Sequence, residues 1–221
     1  MFQQPFNMQV AGPTQAGKST FVKNLIENPS LISPPPTKII YIQHEDSTPP
    51  SFDSDIPCEI YYSLEDLKCA PLNLIVIDDL YVEAGNSKEV CNLFTRGSHH
   101  NNCSVILTTQ NLFSYRESKY STTINRNCKY MVLFKSPRDC SFVRTLDSQM
   151  YPEKKRFLTK AYRKATEVKH GYLLVDTSQE CPDHLRLKRN LFREIDQYPR
   201  VFVEEQSCPS TFTTTETTFL C

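Results

Sequence analysis

GPTQAGKST, residues 12–20, decides how this chain folds. It fits the pattern G-x-x-x-x-G-K-[ST], in which a glycine-rich turn aims backbone N–H groups at the α- and β-phosphates of a nucleotide. Gly12, Pro13, Thr14, Gln15, Ala16 and Gly17 form the cradle, Lys18 reaches the β- and γ-phosphates, Ser19 ligates Mg²⁺, and Thr20 closes the turn. The pattern carries weight only between a strand and a helix. FNMQVA (6–11) alternates like a short strand, and FVKNLIEN (21–28) places Phe21, Leu25 and Asn28 at helical spacing. The competing reading, a Gly/Ser turn that matches by chance, does not account for both flanks.

Outward from the loop, NLIVIDDLY (73–81) is a short apolar run ending in two carboxylates, as in strands buried on both faces whose ends hold ligands. Asp78 stands where an acid holds Mg²⁺ through its water shell, opposite Ser19. Asp79 follows at the position from which a carboxylate polarises attacking water. Without the upstream loop the pair reads as a turn or helix cap. SVILTT (104–109) is a second buried strand, ending in Gln110 and Asn111. If it lies between the loop strand and the Asp78 strand, Gln110 emerges beside the γ-phosphate, where it orients water or reports the nucleotide state. KIIYIQ (38–43) and KYMVLFK (129–135) are further strands.

The 221 residues suit one α/β domain, set at 1–203, followed by a Thr-rich tail, 204–221, expected to be disordered. Hydrophobic content of 39% and 23% charge suit a soluble globular protein, and no apolar run approaches the roughly 18 residues of a membrane span. The N-terminus has no basic stretch leading into an apolar core, so the protein is expected inside a cell, without a membrane partner. Nine scattered cysteines with no C-x-x-C pair suit free thiols in a reducing compartment. His99, His100 and Cys103 are the only dense group of zinc-ligand types, and they lack a second pair at finger-like spacing.

The net charge of zero hides a polarised layout: residues 115–200 hold 19 Lys/Arg and 10 Asp/Glu. Within this half, EKKRFLTKAYRKATEV (153–168) spaces Phe157, Ala161, Ala165 and Val168 for one apolar face and carries Lys154, Lys155, Arg156, Lys160, Arg163 and Lys164 elsewhere. Such a helix either binds phosphates or is a solvated surface helix. Residues 84–98 read as a loop and then a helix stopped by Gly97, with Arg96 in its last turn. GYLLVDTS (171–178) and LRLKRNLF (185–192) read as a C-terminal strand pair.

GPTQAGKST, PPPTKIIYI, LIVIDDL, LFTRGSHHNNCSVILTTQNLF, YMVLFKSPRD, QMYP and GYLLVD together resemble the packaging ATPases of the FtsK/HerA superfamily. The resemblance covers roughly residues 6–203 and is to the form encoded by Polinton/Maverick elements and adintovirus-like DNA viruses, related to the poxvirus packaging ATPase. It implies an additional-strand P-loop NTPase fold: a mostly parallel central sheet flanked by helices, with the Gln110 strand inserted between the strands ending at Gly12 and Asp78. It further implies ATP hydrolysis with Mg²⁺, a homo-oligomeric ring, commonly a hexamer, and double-stranded DNA moved into a capsid. Capsid proteins are then partners, and the host nucleus or viral assembly site is the location. An arginine from the neighbouring subunit completes such sites, with Arg96 the first choice, Arg126 second, and Arg116 and Arg138 further candidates. Two classes compete with this one: a small-molecule kinase, which needs an arginine-bearing lid over an acceptor site, and a nucleotide switch with little catalysis. No N-K-x-D base-reading motif is present.

Overall fold

The computed structural model describes residues 2–67, 69–113, 118–154, 156–192, 199–204 and 214–218. The chain packs as two compact units, Met1–Lys129 and Tyr130–Cys221.

In the first unit, β1 (Phe2–Gln3) pairs in parallel with β3 (Ile32–Ser33) as a small ribbon. The other strands are β2 (Asn7–Ala11), β4 (Lys38–Ile42), β5 (Cys58–Tyr61), β6 (Asn73–Ile77) and β7 (Ser104–Thr109). They form a wholly parallel sheet in the order β2-β7-β6-β4-β5. Every residue of β2, β6 and β7 is buried. That is why these strands read as continuous apolar runs: each one is covered on both faces. The inserted strand expected from the sequence is therefore present, since β7 pairs with β2 on one side and β6 on the other.

After the loop, α1 (Lys18–Glu27) buries Phe21, Val22, Leu25 and Ile26, and it stops at Asn28, which caps the helix instead of continuing its apolar face. The segment read as a loop and one helix is instead a run of short pieces. These are α2 (Tyr81–Asn86), α3 (Lys88–Asn92), a π-helical turn (Leu93–Gly97) and α4 (Ser98–Asn101). The π turn shifts the carbonyl ladder by one residue, and the Asn7 side-chain amide donates 2.7 Å to the carbonyl of Phe94. A last helix, α5 (Ser121–Arg126), completes the unit.

Cys69 and Cys103 are joined as a disulfide, with Cα atoms 6.2 Å apart, which corrects the expectation of free thiols throughout. They precede β6 and β7, which are paired from Leu74↔Ser104 onward, and the Leu72 N–H donates to the Asn102 carbonyl at 2.7 Å. Strand adjacency brings together two residues 34 apart in sequence, and cysteine spacing gives no sign of it. Cys58, Cys91, Cys128, Cys140 and Cys181 are free thiols.

The second unit is antiparallel. β8 (Tyr130–Phe134) pairs with β9 (Tyr172–Asp176), β9 with β10 (Leu187–Arg189), β10 with β11 (Arg200–Glu204), and β11 with β12 (Thr214–Thr218). The expected C-terminal strand pair is β9 and β10. The rest of the Thr-rich tail, 205–213 and 219–221, lies outside the described residues. Two helices, α6 (Ser141–Met150) and α7 (Phe157–Ala165), join β8 to β9. α7 buries Phe157, Leu158, Ala161, Tyr162 and Ala165; Val168 lies beyond its end and is 61% exposed, so it is not part of the apolar face.

Asp147 of α6 is buried and organises the start of α7. Its carboxylate accepts the N–H groups of Leu158 and Thr159 at 3.0 and 3.2 Å and the Thr159 hydroxyl at 2.6 Å. Two of these donors belong to the helix's unpaired first turn. Asp147→Ala removes the partner of the buried Leu158 N–H and of the half-buried Thr159 donors, and is expected to cost ~2–4 kcal/mol in urea unfolding followed by circular dichroism. A loss under ~0.5 kcal/mol would show that the helix start is held by packing alone.

Candidate functional site

Parallel pairing lines up the C-terminal ends of three strands. Ala11 lies opposite Thr109, and Ile77 opposite Leu107. The loop leaving β2, the acids leaving β6 and the residue after β7 therefore emerge together, at the edge where open parallel sheets hold ligands. The Gly12 N–H donates 3.0 Å to the Thr109 carbonyl, extending the ladder one residue into the loop.

The loop then turns into α1. Gln15 has φ 63° and Gly17 φ 110°, and only glycine adopts the latter without strain. α1 has no acidic residue in its first turn and no side chain capping its N-terminus, so the free N–H groups and the positive end of the helix dipole remain open to an anion. The Lys18 ammonium donates to the carbonyls of Gly12 at 2.9 Å and Pro13 at 3.1 Å. Burial pulls its pKa below the ordinary lysine range, and the charges of Asp79 and Asp78 offset part of that shift. An anion placed in the loop would favour the charged ammonium. Thr14, Gln15, Ser19 and Thr20 are exposed.

Asp78 is only 8% exposed. One carboxylate oxygen accepts the Tyr41 hydroxyl at 2.6 Å and the other accepts the Thr108 hydroxyl at 2.6 Å. Its neighbour Asp79 is exposed, has φ 57°, and donates its N–H to the Thr108 hydroxyl oxygen at 3.0 Å. Gln110 is exposed immediately beyond β7. Ser19 and the two aspartates are hard oxygen donors of the kind Mg²⁺ takes. Among the described residues no cluster of three or more His, Cys, Asp or Glu forms another metal site, and Cys103 is in the disulfide.

The fold thus brings Gly12–Thr20, Asp78, Asp79 and Gln110 to one edge. Arg96 is exposed in the π turn, Arg126 is exposed at the end of α5, Arg138 is exposed in the second unit, and Arg116 lies outside the described residues. Arg96, Arg126 and Arg138 have no part in the geometry above. Sequence reading missed Tyr41 and Thr108. The available signal was a hydroxyl inside a buried strand, KIIYI or SVILTT, which must find a partner there.

No protein-family model matches this chain, and no curated protein matches it in sequence. Solved structures do match it in fold. Against the genome packaging NTPase B204 of Sulfolobus turreted icosahedral virus 2 in complex with sulfate, the TM-score is 0.55 at 14% identity, covering 80% of this chain and 93% of that one. The AMP complex of the same protein gives 0.51 at 13%, covering 85% and 97%. Its AMPPCP complex gives 0.51 at 15%, covering 80% and 94%. The likeness is one of architecture: an α/β P-loop NTPase fold with a mostly parallel sheet and C-terminal antiparallel strands.

The left-handed backbone at Asp79 generates a stability test. Asp and Asn tolerate this region, whereas a β-branched residue does not. Asp79→Asn is expected to unfold within ~0.5 kcal/mol of the parent and Asp79→Val to lose ~1–2 kcal/mol. Equal stability of the two would place residue 79 outside that conformation.

Proposed function

We propose that this protein is an ATP-driven motor that moves double-stranded DNA, packaging a viral or transposon genome of the Polinton/Maverick and adintovirus type into a capsid. One observation carries the reading: β7 is inserted between the loop strand and the Asp78 strand, so that Gln110 leaves the sheet between the phosphate cradle and the acids. The fold likeness to B204, the DNA-packaging ATPase of Sulfolobus turreted icosahedral virus, supports the same class.

In this reading the loop N–H groups and Lys18 hold the ATP phosphates. Ser19 and Asp78 hold Mg²⁺, which when bound neutralises charge across the β- and γ-phosphates. Asp79 accepts a proton from the attacking water, and Gln110 orients that water. The bond from the γ-phosphorus to the bridging oxygen breaks and ADP leaves with the electron pair. Arg96 acts on the γ-phosphate of a neighbouring subunit, which makes the ring, taken as a hexamer, part of the active site. The motor works inside the host cell, in the nucleus or at the site of viral assembly, against a capsid partner.

DNA contact is assigned to the solvent face of α7. Arg156, Lys160, Arg163 and Lys164 are exposed there, and no acid occurs between residues 154 and 166. Of the four, Lys164 has an ion-pair partner among the described residues, Glu167 at 3.3 Å. At 1.5 Å rise per residue, Lys160 to Lys164 span ~6 Å of helix, about two of the 3.4 Å phosphate steps along one strand.

ATP turnover measured across protein concentration, with and without double-stranded DNA and beside a particle-size measurement, should rise as larger particles form and rise again with DNA. A monomer turning over at full rate without DNA would overturn the proposal, and γ-phosphoryl transfer to a nucleoside would replace it with a kinase. Lys18→Ala should lower turnover at least 100-fold, by removing charge stabilisation at the phosphates. Lys160→Ala with Arg163→Ala should reduce the slope of log DNA affinity against log salt by ~2, leaving DNA-free ATP turnover unchanged. An unchanged slope would move the DNA contact elsewhere.

A further inference from the structure

We infer that Tyr41 and Thr108 are positioning residues for Asp78: they lock its carboxylate so that it meets a divalent cation through bound water, and they thereby set the cation's affinity. The inference rests on the nucleotide-site reading above.

The clamp is two-sided because of strand order. β6 lies between β7 and β4, so the acid that leaves β6 has Thr108 on one neighbouring strand and Tyr41 on the other. Each donates to a different oxygen, both at 2.6 Å, at the short end of O–H···O distances. The backbone is fixed as well, since the Asp78 N–H donates 2.8 Å to the Ile42 carbonyl. Tyr41 is itself 3% exposed and packs against the Phe52 ring, with centroids 5.5 Å apart. Held there, its hydroxyl stays a donor to Asp78.

Thr108 does two things with one hydroxyl. Its hydrogen goes to Asp78, and its oxygen receives the N–H of Asp79 at 3.0 Å. The acid assigned to the cation and the acid assigned to water are therefore tied to the same atom. Each Asp78 oxygen accepts one hydroxyl and keeps a further lone pair, so a water already on the metal can donate to either oxygen while both short hydrogen bonds stay in place. Removing one clamp frees the carboxylate to rotate and weakens the water-mediated contact, in the manner of other outer-shell partners of metal sites.

The test compares the parent with Tyr41→Phe, Thr108→Val and Thr108→Ser. Two quantities are measured by titration: affinity for AMPPCP in EDTA, and the Mn²⁺ concentration that half-saturates the AMPPCP complex, read by electron paramagnetic resonance. Tyr41→Phe and Thr108→Val should each raise the Mn²⁺ half-saturation about 10-fold, while the affinity in EDTA stays within about 2-fold of the parent. Thr108→Ser, which keeps the hydroxyl, should restore the parent value. A Mn²⁺ half-saturation unchanged in both variants, or an equal loss in EDTA, would overturn the inference while leaving the nucleotide site intact. If the parent itself binds no AMPPCP, the nucleotide reading fails and the inference with it. Should Tyr41→Phe not fold, the Thr108→Val and Thr108→Ser pair decides the question by the same two titrations.

Discussion

The parallel pairing of β7 with both β2 and β6 is the constraint on which the rest of the first unit depends. A strand buried on both faces must find backbone partners on both edges, because unpaired N–H and C=O groups cannot be left away from water. Once SVILTT occupies the slot between NMQVA and NLIVI, the alignment of Ala11 with Thr109 and of Ile77 with Leu107 follows. Every element of the site hangs from that register. A slip of one residue would turn Thr108 away from Asp78 and remove the hydroxyl that also receives the Asp79 N–H.

The electrostatics of the edge follow from burial. Lys18 is held partly out of water against two carbonyls, a poor substitute for a phosphate, and the acids opposite offset only part of the desolvation. The open N-terminus of α1 adds a second positive feature without a counter-charge. The loop is thus held in an electrostatically unsatisfied state that an anion relieves. Asp78 is the opposite case: each of its oxygens accepts a hydroxyl, which is how a carboxylate can sit nearly inaccessible to water with its polar atoms satisfied. The contrast separates a group waiting for ligand from one already fixed in place.

What could be read from the sequence divides along the range of the interactions involved. The loop, its helix and the apolar strands are local patterns, and GPTQAGKST, NLIVIDD and SVILTT carry them in full. The position of β7 between β2 and β6 is a long-range pairing; the sequence offered it as a condition on Gln110, and the family resemblance turned that condition into an expectation. The Cys69–Cys103 disulfide, the hydroxyls on Asp78 and the capping of α7 by Asp147 were beyond reach for the same reason: each joins residues whose proximity comes only from strand or helix neighbours. The stretch from Tyr81 to Asn101 failed differently. Its periodicity is helical throughout, but it is divided among three short α-helices and a π turn, and a π turn is decided by tertiary partners such as the Asn7 amide.

Residue 79 shows how backbone and chemistry converge on one side-chain type. The chain must leave β6 sharply after Asp78 and enters α2 at Tyr81, and it does so through a left-handed residue. Glycine would fit but would bring no acid; glutamate would bring the acid but has no special tolerance for this conformation. Aspartate provides a carboxylate and is among the few side chains that adopt a positive φ readily. The shorter side chain then needs its backbone held in place if its reach is to be defined, and the Thr108 hydroxyl does this by accepting the Asp79 N–H. An aspartate at this position therefore follows from the turn: the backbone selects the residue, and the neighbouring strand fixes where its carboxylate starts.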